Sequence, residues 1–186
     1  MKQSGLRRKG ASARRSLDAD YRSQASRRIA DRFLASHSFL SARTLACYIS
    51  VGAEVETTAI IQRAWCARKR IFVPVTAANR HMEFRLLEPD TPLVRNEFGL
   101  WEPRAGDTID AANIDVVVTP LVAFDDQGHR IGMGGGYFDS TFAFLKTRRN
   151  WFHPKLIGLA FDCQRVEKIQ PNPWDIRLYR VLTEVV

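Results

Sequence analysis

Residues 114–139 carry the clearest structural signal in the chain, and they read IDVVVTPLVAFDDQGHRIGMGGGYFD. The β-branched run at 114–118 is typical of a buried strand, and residues 140–146 (STFAFLK) are typical of a helix. The glycine-rich segment between them therefore joins the end of a strand to the start of a helix. In α/β sheets ligands bind at such strand ends, and so we expect a binding site here.

Four of the five positions 132–136 are glycine, namely Gly132, Gly134, Gly135 and Gly136. Without Cβ atoms the backbone can approach a ligand closely and can adopt positive φ, which we expect at Gly135. Free N–H groups at a helix N-terminus bind anions, so the loop predicts a phosphate site. His129 and Arg130 stand close by and would add positive charge.

Two common phosphate motifs do not match this loop. A Walker loop needs Lys and then Ser or Thr after its spacer, and no lysine follows Gly136. The dinucleotide fingerprint needs a glycine where Tyr137 stands. The segment is therefore either a third type of phosphate loop or a glycine-rich turn that only closes an α/β connection.

Composition excludes several classes of protein. The chain has 186 residues, of which 45% are apolar and 26% charged, and this length predicts one domain. No apolar run approaches the roughly 20 residues that span a bilayer, and no secretory signal follows the basic first residues. We therefore expect a cytoplasmic protein with no membrane partner. Three widely spaced cysteines, Cys47, Cys66 and Cys163, predict buried free thiols rather than disulfides or a zinc site.

The net charge of +8 comes almost entirely from the N-terminal segment, because residues 1–32 hold ten lysines and arginines against three aspartates. Gly5 and Gly10 interrupt this basic run. A helical stripe follows, with a possible N-cap at Asp18, so residues 1–36 form a basic helical segment. Such an arm could bind nucleic acid nonspecifically, but no zinc finger or RNA-binding sheet signature accompanies it, and we expect no nucleic-acid partner. Its arginines lie on a solvated helix face or reach an anionic ligand.

Strand and helix patterns alternate along the rest of the chain. Residues 43–50 and 71–75 have strand composition and flank a helix that Thr57 and Thr58 can cap, which implies a parallel pair. The segment 82–87 alternates like an edge strand, and 88–106 is rich in proline and predicts a long ordered loop. Residues 156–161 and 178–185 predict two more strands. We expect a single three-layer α/β/α domain over residues 1–186 with a mainly parallel sheet.

Residues 121–139, LVAFDDQGHRIGMGGGYFD, resemble the signature of the 5-formyltetrahydrofolate cyclo-ligase family, also called methenyltetrahydrofolate synthetases. The basic N-terminus, the turn at 47–57, the segment 96–103 and the Pro-Trp-Asp at 173–175 follow in the family's order, so the resemblance covers essentially the whole chain. It implies a fold similar to the ribose-phosphate isomerase and CoA-transferase group. It also implies conversion of 5-formyltetrahydrofolate to 5,10-methenyltetrahydrofolate with Mg²⁺ and ATP, releasing ADP and phosphate.

The implied chemistry is intelligible. An N-formyl oxygen is a poor leaving group, so its phosphorylation by ATP creates an iminium phosphate that N10 can attack before phosphate departs. The protein then supplies positioning, charge neutralisation and exclusion of water, and it needs no covalent nucleophile.

The resemblance also assigns roles to residues. Catalytic roles fall on Arg130 and Tyr137, and magnesium binding falls on Asp139 and Asp175. ATP would be bound by Lys2, Gln3, Arg7, Arg130, Ile131, Gly132, Met133, Gly134, Gly135, Gly136, Tyr137 and Phe138. The folate would be bound by Arg7, Ile49, Glu54, Met133, Gly134, Gly135, Gly136 and Tyr137. Gln3 stands where the family has lysine, and Phe138 stands where tyrosine is frequent.

Each acidic position also has a purely structural interpretation: Glu54 as a helix-start acid, Asp139 as a helix cap and Asp175 as a turn cap. Two other functions compete with the ligase. One is a noncatalytic nucleic-acid-binding domain, suggested by the basic N-terminus. The other is a sugar-phosphate isomerase of the same architecture, which needs a phosphate loop but neither ATP nor metal. We expect a monomer whose partners are ATP and 5-formyltetrahydrofolate.

Overall fold

The computed structural model describes residues 2–77, 80–147 and 153–185 of the chain. The helices are α1 (Gln3–Ser16), α2 (Ala19–Leu34), α3 (His37–Ser41), α4 (Thr58–Cys66) and α5 (Tyr137–Thr141). The strands are β1 (Thr44–Ala46), β2 (Arg70–Thr76), β3 (Met82–Leu86), β4 (Leu93–Arg95), β5 (Trp101–Pro103), β6 (Thr108–Ile109), β7 (Val116–Pro120), β8 (Ala123–Phe124), β9 (Arg130–Ile131), β10 (Lys155–Leu159) and β11 (Arg180–Leu182). Short 3₁₀ turns cover Ala111–Asn113, Ala143–Lys146 and Asp162–Gln164.

Seven strands form the central sheet in the order β11-β10-β7-β1-β2-β3-β6. The five strands from β11 to β2 are parallel, and β3 and β6 are antiparallel to their neighbours. The predicted parallel pair is confirmed, because Leu45 of β1 lies opposite Ile71 of β2. The edge position predicted for β3 is wrong, since the two-residue β6 pairs with it. So short a strand leaves no alternating pattern to find in the sequence.

Side chains of the sheet point alternately to two covered faces. Val116 and Val118 of β7 belong to the core under α2, α3 and α4, which includes the fully buried Phe33. Burial of a side chain of this size contributes about 2 kcal/mol. Val117 points the other way and packs with Phe142, next to α5. The predicted α/β class, with a mainly parallel sheet and helices on both faces, is confirmed.

Two helix starts were predicted from capping residues, with opposite outcomes. Asp18 caps α2 as expected, because its side chain accepts the N–H groups of Asp20 and Tyr21 at 2.8 and 3.2 Å. Thr57 occupies the N-cap position of α4 but makes no capping bond. Its hydroxyl is buried and donates to the Tyr48 carbonyl at 2.7 Å instead, so the predicted cap is wrong.

The connection at 88–106 is not a plain loop, because β4 and β5 pair within it as an antiparallel hairpin. Strands of three residues are too short to predict among so many prolines. The cysteine prediction holds only in part, since Cys47 is buried but Cys66 and Cys163 are exposed free thiols. Within the described ranges, no helix has the length and apolar character needed to cross a membrane.

Helix α1 runs unbroken through Gly5 and Gly10, although glycine lowers helix propensity. The reason for Gly10 is a close approach to the connection between β7 and β8: a Cβ built on Gly10 would lie 2.3 Å from the Val122 carbonyl oxygen. The helix also buries Leu6 against Ala123 and Ile131. This contact places α1 directly beside the strand end that leads into the glycine loop.

Candidate active site

A cavity of about 400 Å³ opens at the carboxyl ends of β1, β2 and β7, where parallel sheets bind ligands. It is lined by Gln3 and Arg7 of α1, by Ile49 and Glu54 beyond β1, and by every residue from Arg130 to Asp139. Asp175 lines it too. Of the residues implied by the family resemblance, Lys2 alone lies outside the lining, and its side chain is exposed. The chain therefore gathers the other fifteen around one cavity.

The glycine loop exposes its backbone to this cavity through two left-handed residues, Gly134 and Gly136, with φ of 108° and 76°. The expected positive φ at Gly135 is wrong. Glycine is needed there for space, because a Cβ would lie 2.9 Å from the Tyr137 ring.

The helix after the loop is shorter than predicted. Instead of spanning 140–146, α5 has five residues, Tyr137–Thr141, and a 3₁₀ turn follows. A helix of little more than one turn has a small dipole. Attraction for an anion at this loop must therefore come from its backbone N–H groups and from nearby arginines.

Helix α1 brings Arg7 to the glycine loop. The Arg7 Nε donates to the Gly132 carbonyl at 2.8 Å, and its guanidinium carbon lies 3.5 Å from the Cβ position of Gly134. One turn earlier, Gln3 donates through Nε2 to the Asp175 carboxylate at 3.2 Å and to the Gln170 carbonyl at 3.1 Å. The N-terminal helix thus joins two parts of the site that lie far apart in sequence.

Arg130 is a buried cation beside the cavity. Its Nη2 donates to Asp139 Oδ1 at 2.9 Å, and its guanidinium lies 5.4 Å from the centre of the Phe138 ring. Its Nε has no hydrogen-bond partner among the described residues. Burial lowers the pKa of Arg130, and the charges of Asp139 and Asp175 oppose this effect. Arg130 is therefore the counter-ion of the two acidic residues.

The structure brings Asp139 and Asp175 to the same wall of the cavity. Asp139 Oδ1 accepts from Arg130 and from the backbone N–H of Ile176, the residue after Asp175, at 3.0 Å. These bonds go outside its own helix, so the helix-cap interpretation of Asp139 does not hold. Asp175 does hold a turn, because it accepts the Asn172 N–H at 2.8 Å. Asp139 Oδ2 accepts no hydrogen bond from the part of the chain that the structure describes.

Glu54 lies at another part of the cavity wall. Its Oε2 accepts the Val51 N–H at 3.2 Å, and its Oε1 lies 3.8 Å from Nη1 of Arg14. Burial raises the pKa of Glu54, while the Val51 N–H and Arg14 oppose the rise. The helix-start interpretation is wrong, because α4 begins four residues later and has no acid in its first turn.

Glu54 should make the ligand-free protein less stable at neutral pH. A carboxyl group whose pKa is raised by folding contributes stability at low pH, and this contribution is lost as pH rises through the folded-state pKa. Burial outweighs the attraction of Arg14 in this shift, so Glu54→Gln is expected to raise the melting temperature at neutral pH although Arg14 loses its nearest negative charge. This advantage should be lost near pH about 4, where carboxyl groups normally titrate. Thermal unfolding at both pH values measures the difference, with Glu56→Gln, at an exposed neighbour, as the control. Equal melting temperatures of wild type and Glu54→Gln at neutral pH would contradict the expectation.

The β4–β5 hairpin borders the cavity with Leu100, Trp101 and Glu102, a role that its sequence did not predict. Glu102 is 7% exposed and holds the hairpin, since its Oε1 accepts from the Thr76 N–H at 2.9 Å and from the Asn96 amide at 2.7 Å. Asn96 and Glu102 were part of the family resemblance, and this was the signal that could have marked the hairpin as a wall of the site.

Comparison with known proteins agrees with this geometry. The family model described as the 5-formyltetrahydrofolate cyclo-ligase family matches residues 1–184. The chain is 36% identical over 178 residues to the 5-formyltetrahydrofolate cyclo-ligase of Escherichia coli K12, covering 91% of this chain and 93% of that protein. It is 37% identical over 147 residues to that of Haemophilus influenzae, covering 76% and 75%.

A solved structure leads to the same family. The NMR structure of the 5,10-methenyltetrahydrofolate synthetase of Aquifex aeolicus superposes with a TM-score of 0.83 at 26% identity, covering all of this chain and 91% of that one. The family match and these relatives place this α/β fold among enzymes of the ligase class. The chain belongs to the 5-formyltetrahydrofolate cyclo-ligase family, and the predicted resemblance is confirmed.

Proposed function

We propose that this protein uses ATP to convert 5-formyltetrahydrofolate to 5,10-methenyltetrahydrofolate, with release of ADP and phosphate. The observation that supports it is one cavity in which a glycine loop and Arg7 adjoin Glu54 and the pair Asp139 and Asp175. The three features suit a phosphate chain, a pterin and a metal ion respectively. The activity of the family's other members supports the same reaction.

Folate recognition falls to Glu54 and Ile49. The two oxygens of a carboxylate match the adjacent N–H donors of a pterin edge, and Ile49 offers a half-buried apolar surface beside them. Because Glu54 is largely desolvated, hydrogen bonds to it are stronger than they would be in water. This end of the cavity orients the formyl group and N10 for ring closure.

ATP recognition falls to the glycine loop, Arg7 and Gln3. Backbone N–H groups and a guanidinium stabilise charge on the phosphates as the formyl oxygen attacks the terminal one. Residues Arg130, Ile131, Met133, Tyr137 and Phe138 border the same path, and Tyr137 also borders the folate. Ring closure then requires only that N10 be held against the iminium carbon while phosphate leaves.

Asp139 and Asp175 fit a magnesium ion carried by ATP. Magnesium commonly takes one or two protein carboxylates and completes its octahedron with phosphate oxygens and water. The described residues contain no cluster of three or more metal-binding side chains, so a metal bound without nucleotide is not expected. The ion would neutralise phosphate charge, while Arg130 keeps Asp139 oriented. Lys2 lies outside the cavity lining, and its role with ATP stays a prediction.

Turnover of the purified protein is the direct test of this function. Protein, magnesium, ATP and 5-formyltetrahydrofolate are mixed, and the absorbance of the methenyl product is followed with ATP omitted as the control. We expect product and ADP to form in equal amounts. ATP-independent activity on a sugar phosphate would favour the isomerase, and absence of both activities would contradict the proposal. The monomeric state and the cytoplasmic location stay predictions.

The basic N-terminus gives less support to nucleic-acid binding than its charge suggests. Arg7 contacts the glycine loop, and Arg14 lies beside Glu54 behind the cavity wall. Arg22 donates to the Leu17 carbonyl, and Arg32 donates to the Thr183 carbonyl at 2.7 Å. These four arginines therefore interact with groups of the protein itself. The remaining basic residues lie on exposed helix faces.

Arg7→Ala is therefore expected to raise the KM for ATP by about tenfold or more, the usual effect of losing a charged hydrogen-bond partner. Arg8→Ala and Arg27→Ala each remove the same charge from an exposed position, and they should change the KM for ATP less than about twofold. Steady-state kinetics at two salt concentrations makes the comparison. Equal and salt-dependent losses in all three variants, together with RNA binding, would favour the nucleic-acid interpretation.

A further inference from the structure

One face of α1 carries every contact that this helix makes with the site. At about 100° per residue, Gln3, Arg7, Gly10 and Arg14 lie within an arc of about 60°. Gln3 contacts Asp175, Arg7 contacts the glycine loop, Gly10 touches Val122, and Arg14 approaches Glu54. The first and last of these residues are about 16 Å apart along the helix axis. Helix α1 therefore fixes the spacing between the acidic pair and Glu54.

Arg14 is the member of this face that the proposed function does not use. Its side chain is 11% exposed, its Nη1 lies 3.4 Å from the Leu121 carbonyl, and its buried Nε has no hydrogen-bond partner among the described residues. It does not line the cavity. A buried charge is costly unless a group of opposite charge lies near, and for Arg14 that group is Glu54.

The separation of Arg14 and Glu54 suits a supporting role. At 3.8 Å the two charges attract each other without a hydrogen bond, so the guanidinium does not occupy the lone pairs of Oε1. The Val51 N–H occupies one position on Oε2. Tyr48 also faces Glu54, but its hydroxyl donates to the Val55 carbonyl at 3.0 Å. Glu54 therefore keeps acceptor positions for a ligand, and Arg14 supplies the nearby positive charge.

We propose that Arg14 is a positioning residue for the folate, acting through Glu54, whose carboxylate it holds at the cavity wall as a charged acceptor. This inference rests on the proposed function, because it assumes that Glu54 binds the pterin. Arg14 favours the ionised form of Glu54 and opposes the burial that disfavours it.

A double-mutant cycle tests whether Arg14 acts through Glu54. Arg14→Met keeps the length of the side chain and removes its charge, and Arg15→Met is the matched control at an exposed position on the same helix. We expect Arg14→Met to raise the KM for 5-formyltetrahydrofolate about tenfold and to change the KM for ATP less than about twofold. In the Glu54→Gln background, Arg14→Met should raise the KM for 5-formyltetrahydrofolate less than about twofold. The acid limb of kcat/KM for the folate should move to higher pH in Arg14→Met only, because Glu54 then holds its proton longer.

Several outcomes would overturn the inference. An equal tenfold rise in the folate KM in the wild-type and the Glu54→Gln backgrounds would mean that Arg14 acts without Glu54. A lower melting temperature with unchanged kinetics would give Arg14 a structural role only. Should Arg14→Met fail to fold, Arg14→Lys replaces it. Because lysine retains the charge, we expect the Arg14→Lys protein to keep the wild-type folate KM and the wild-type acid limb of kcat/KM. A tenfold rise in its folate KM would contradict the inference.

A second readout does not depend on turnover. Carbon-13 NMR of labelled glutamate follows the titration of Glu54 in the ligand-free protein, and we expect its pKa to rise in Arg14→Met and to stay unchanged in Arg15→Met. An unchanged Glu54 titration in Arg14→Met would refute the charge coupling. An inactive wild-type protein in which this coupling is present would refute the proposed function, and the two failures are thereby distinguished.

Discussion

Gly10→Val is expected to abolish turnover, although Gly10 does not line the cavity. A Cβ at this position would lie 2.3 Å from the Val122 carbonyl oxygen and 3.3 Å from the Ala123 Cβ, so α1 would have to move away from the start of β8. Gln3, Arg7 and Arg14 would move with it. A displacement of about 1 Å at reacting groups lowers turnover about 100-fold, and three site residues would be displaced together. Overpacking should also lower the free energy of unfolding by about 3 kcal/mol.

Kinetics and chemical denaturation of Gly10→Val and Ser12→Val measure the effect of α1 docking. Ser12 is exposed on the same helix, so its variant controls for the lower helix propensity of valine. Gly10→Ala tests the same contact through the sign of its effect on the free energy of unfolding. Alanine should stabilise a helix interior by about 1 kcal/mol relative to glycine, whereas the contact with Val122 predicts a loss of stability. A stabilised and active Gly10→Ala protein would show that α1 docking does not depend on this contact.

Gly10 also shows why the N-terminal part of the site could not be predicted from the residues alone. Local propensity treats its glycines as interruptions of a basic segment, because the gain that outweighs their low propensity is a tertiary contact with Val122. With the helix broken at Gly10, the common face of Arg7 and Arg14 cannot be seen. Arg14 then looks like any other member of a basic run. On the unbroken helix, Arg14 and Arg15 lie at different positions around the helix axis, and this difference distinguishes them.

The glycine loop and the parallel sheet could be predicted because their signals are local. A β-branched run marks a strand whatever surrounds it, and the structure has β7 there. The clustered glycines lie before a helix as predicted, but they follow β9 rather than β7, because a hairpin of the two-residue strands β8 and β9 lies between them. The function came from the family resemblance rather than from composition. Details that depend on partners far along the chain were missed, including the hairpin held by Glu102 and the space at Gly135 that the Tyr137 ring fills.

Asp139→Asn is expected to impair both the magnesium dependence of turnover and the stability of the protein, whereas Asp175→Asn should impair only the magnesium dependence. Both changes remove a negative charge from the proposed magnesium site, so both should raise the magnesium concentration needed for half-maximal turnover. Asp139 is also the hydrogen-bonded counter-ion of Arg130, whose side chain is 5% exposed. Without that charge the hydrogen-bond partner of Arg130 is a neutral amide and only the charge of Asp175 still opposes the cost of its burial, so the free energy of unfolding should fall by about 2 kcal/mol. Asparagine at 175 can still accept the Asn172 N–H and hold its turn, so Asp175→Asn should unfold at nearly the wild-type temperature.

Two measurements separate the metal role from the ion pair. Thermal unfolding of the ligand-free variants reports the pair alone, and calorimetric binding of ADP with and without magnesium reports the metal without any turnover. The double variant Arg130→Met with Asp139→Asn removes both buried charges, and replacement of an ion pair by uncharged groups is often nearly neutral for stability. It should therefore recover most of the stability that Asp139→Asn loses, while its magnesium-dependent ADP binding stays weak. If both aspartate variants keep the wild-type dependence of ADP binding on magnesium, the proposed metal site is wrong, and Asp139 serves Arg130 alone.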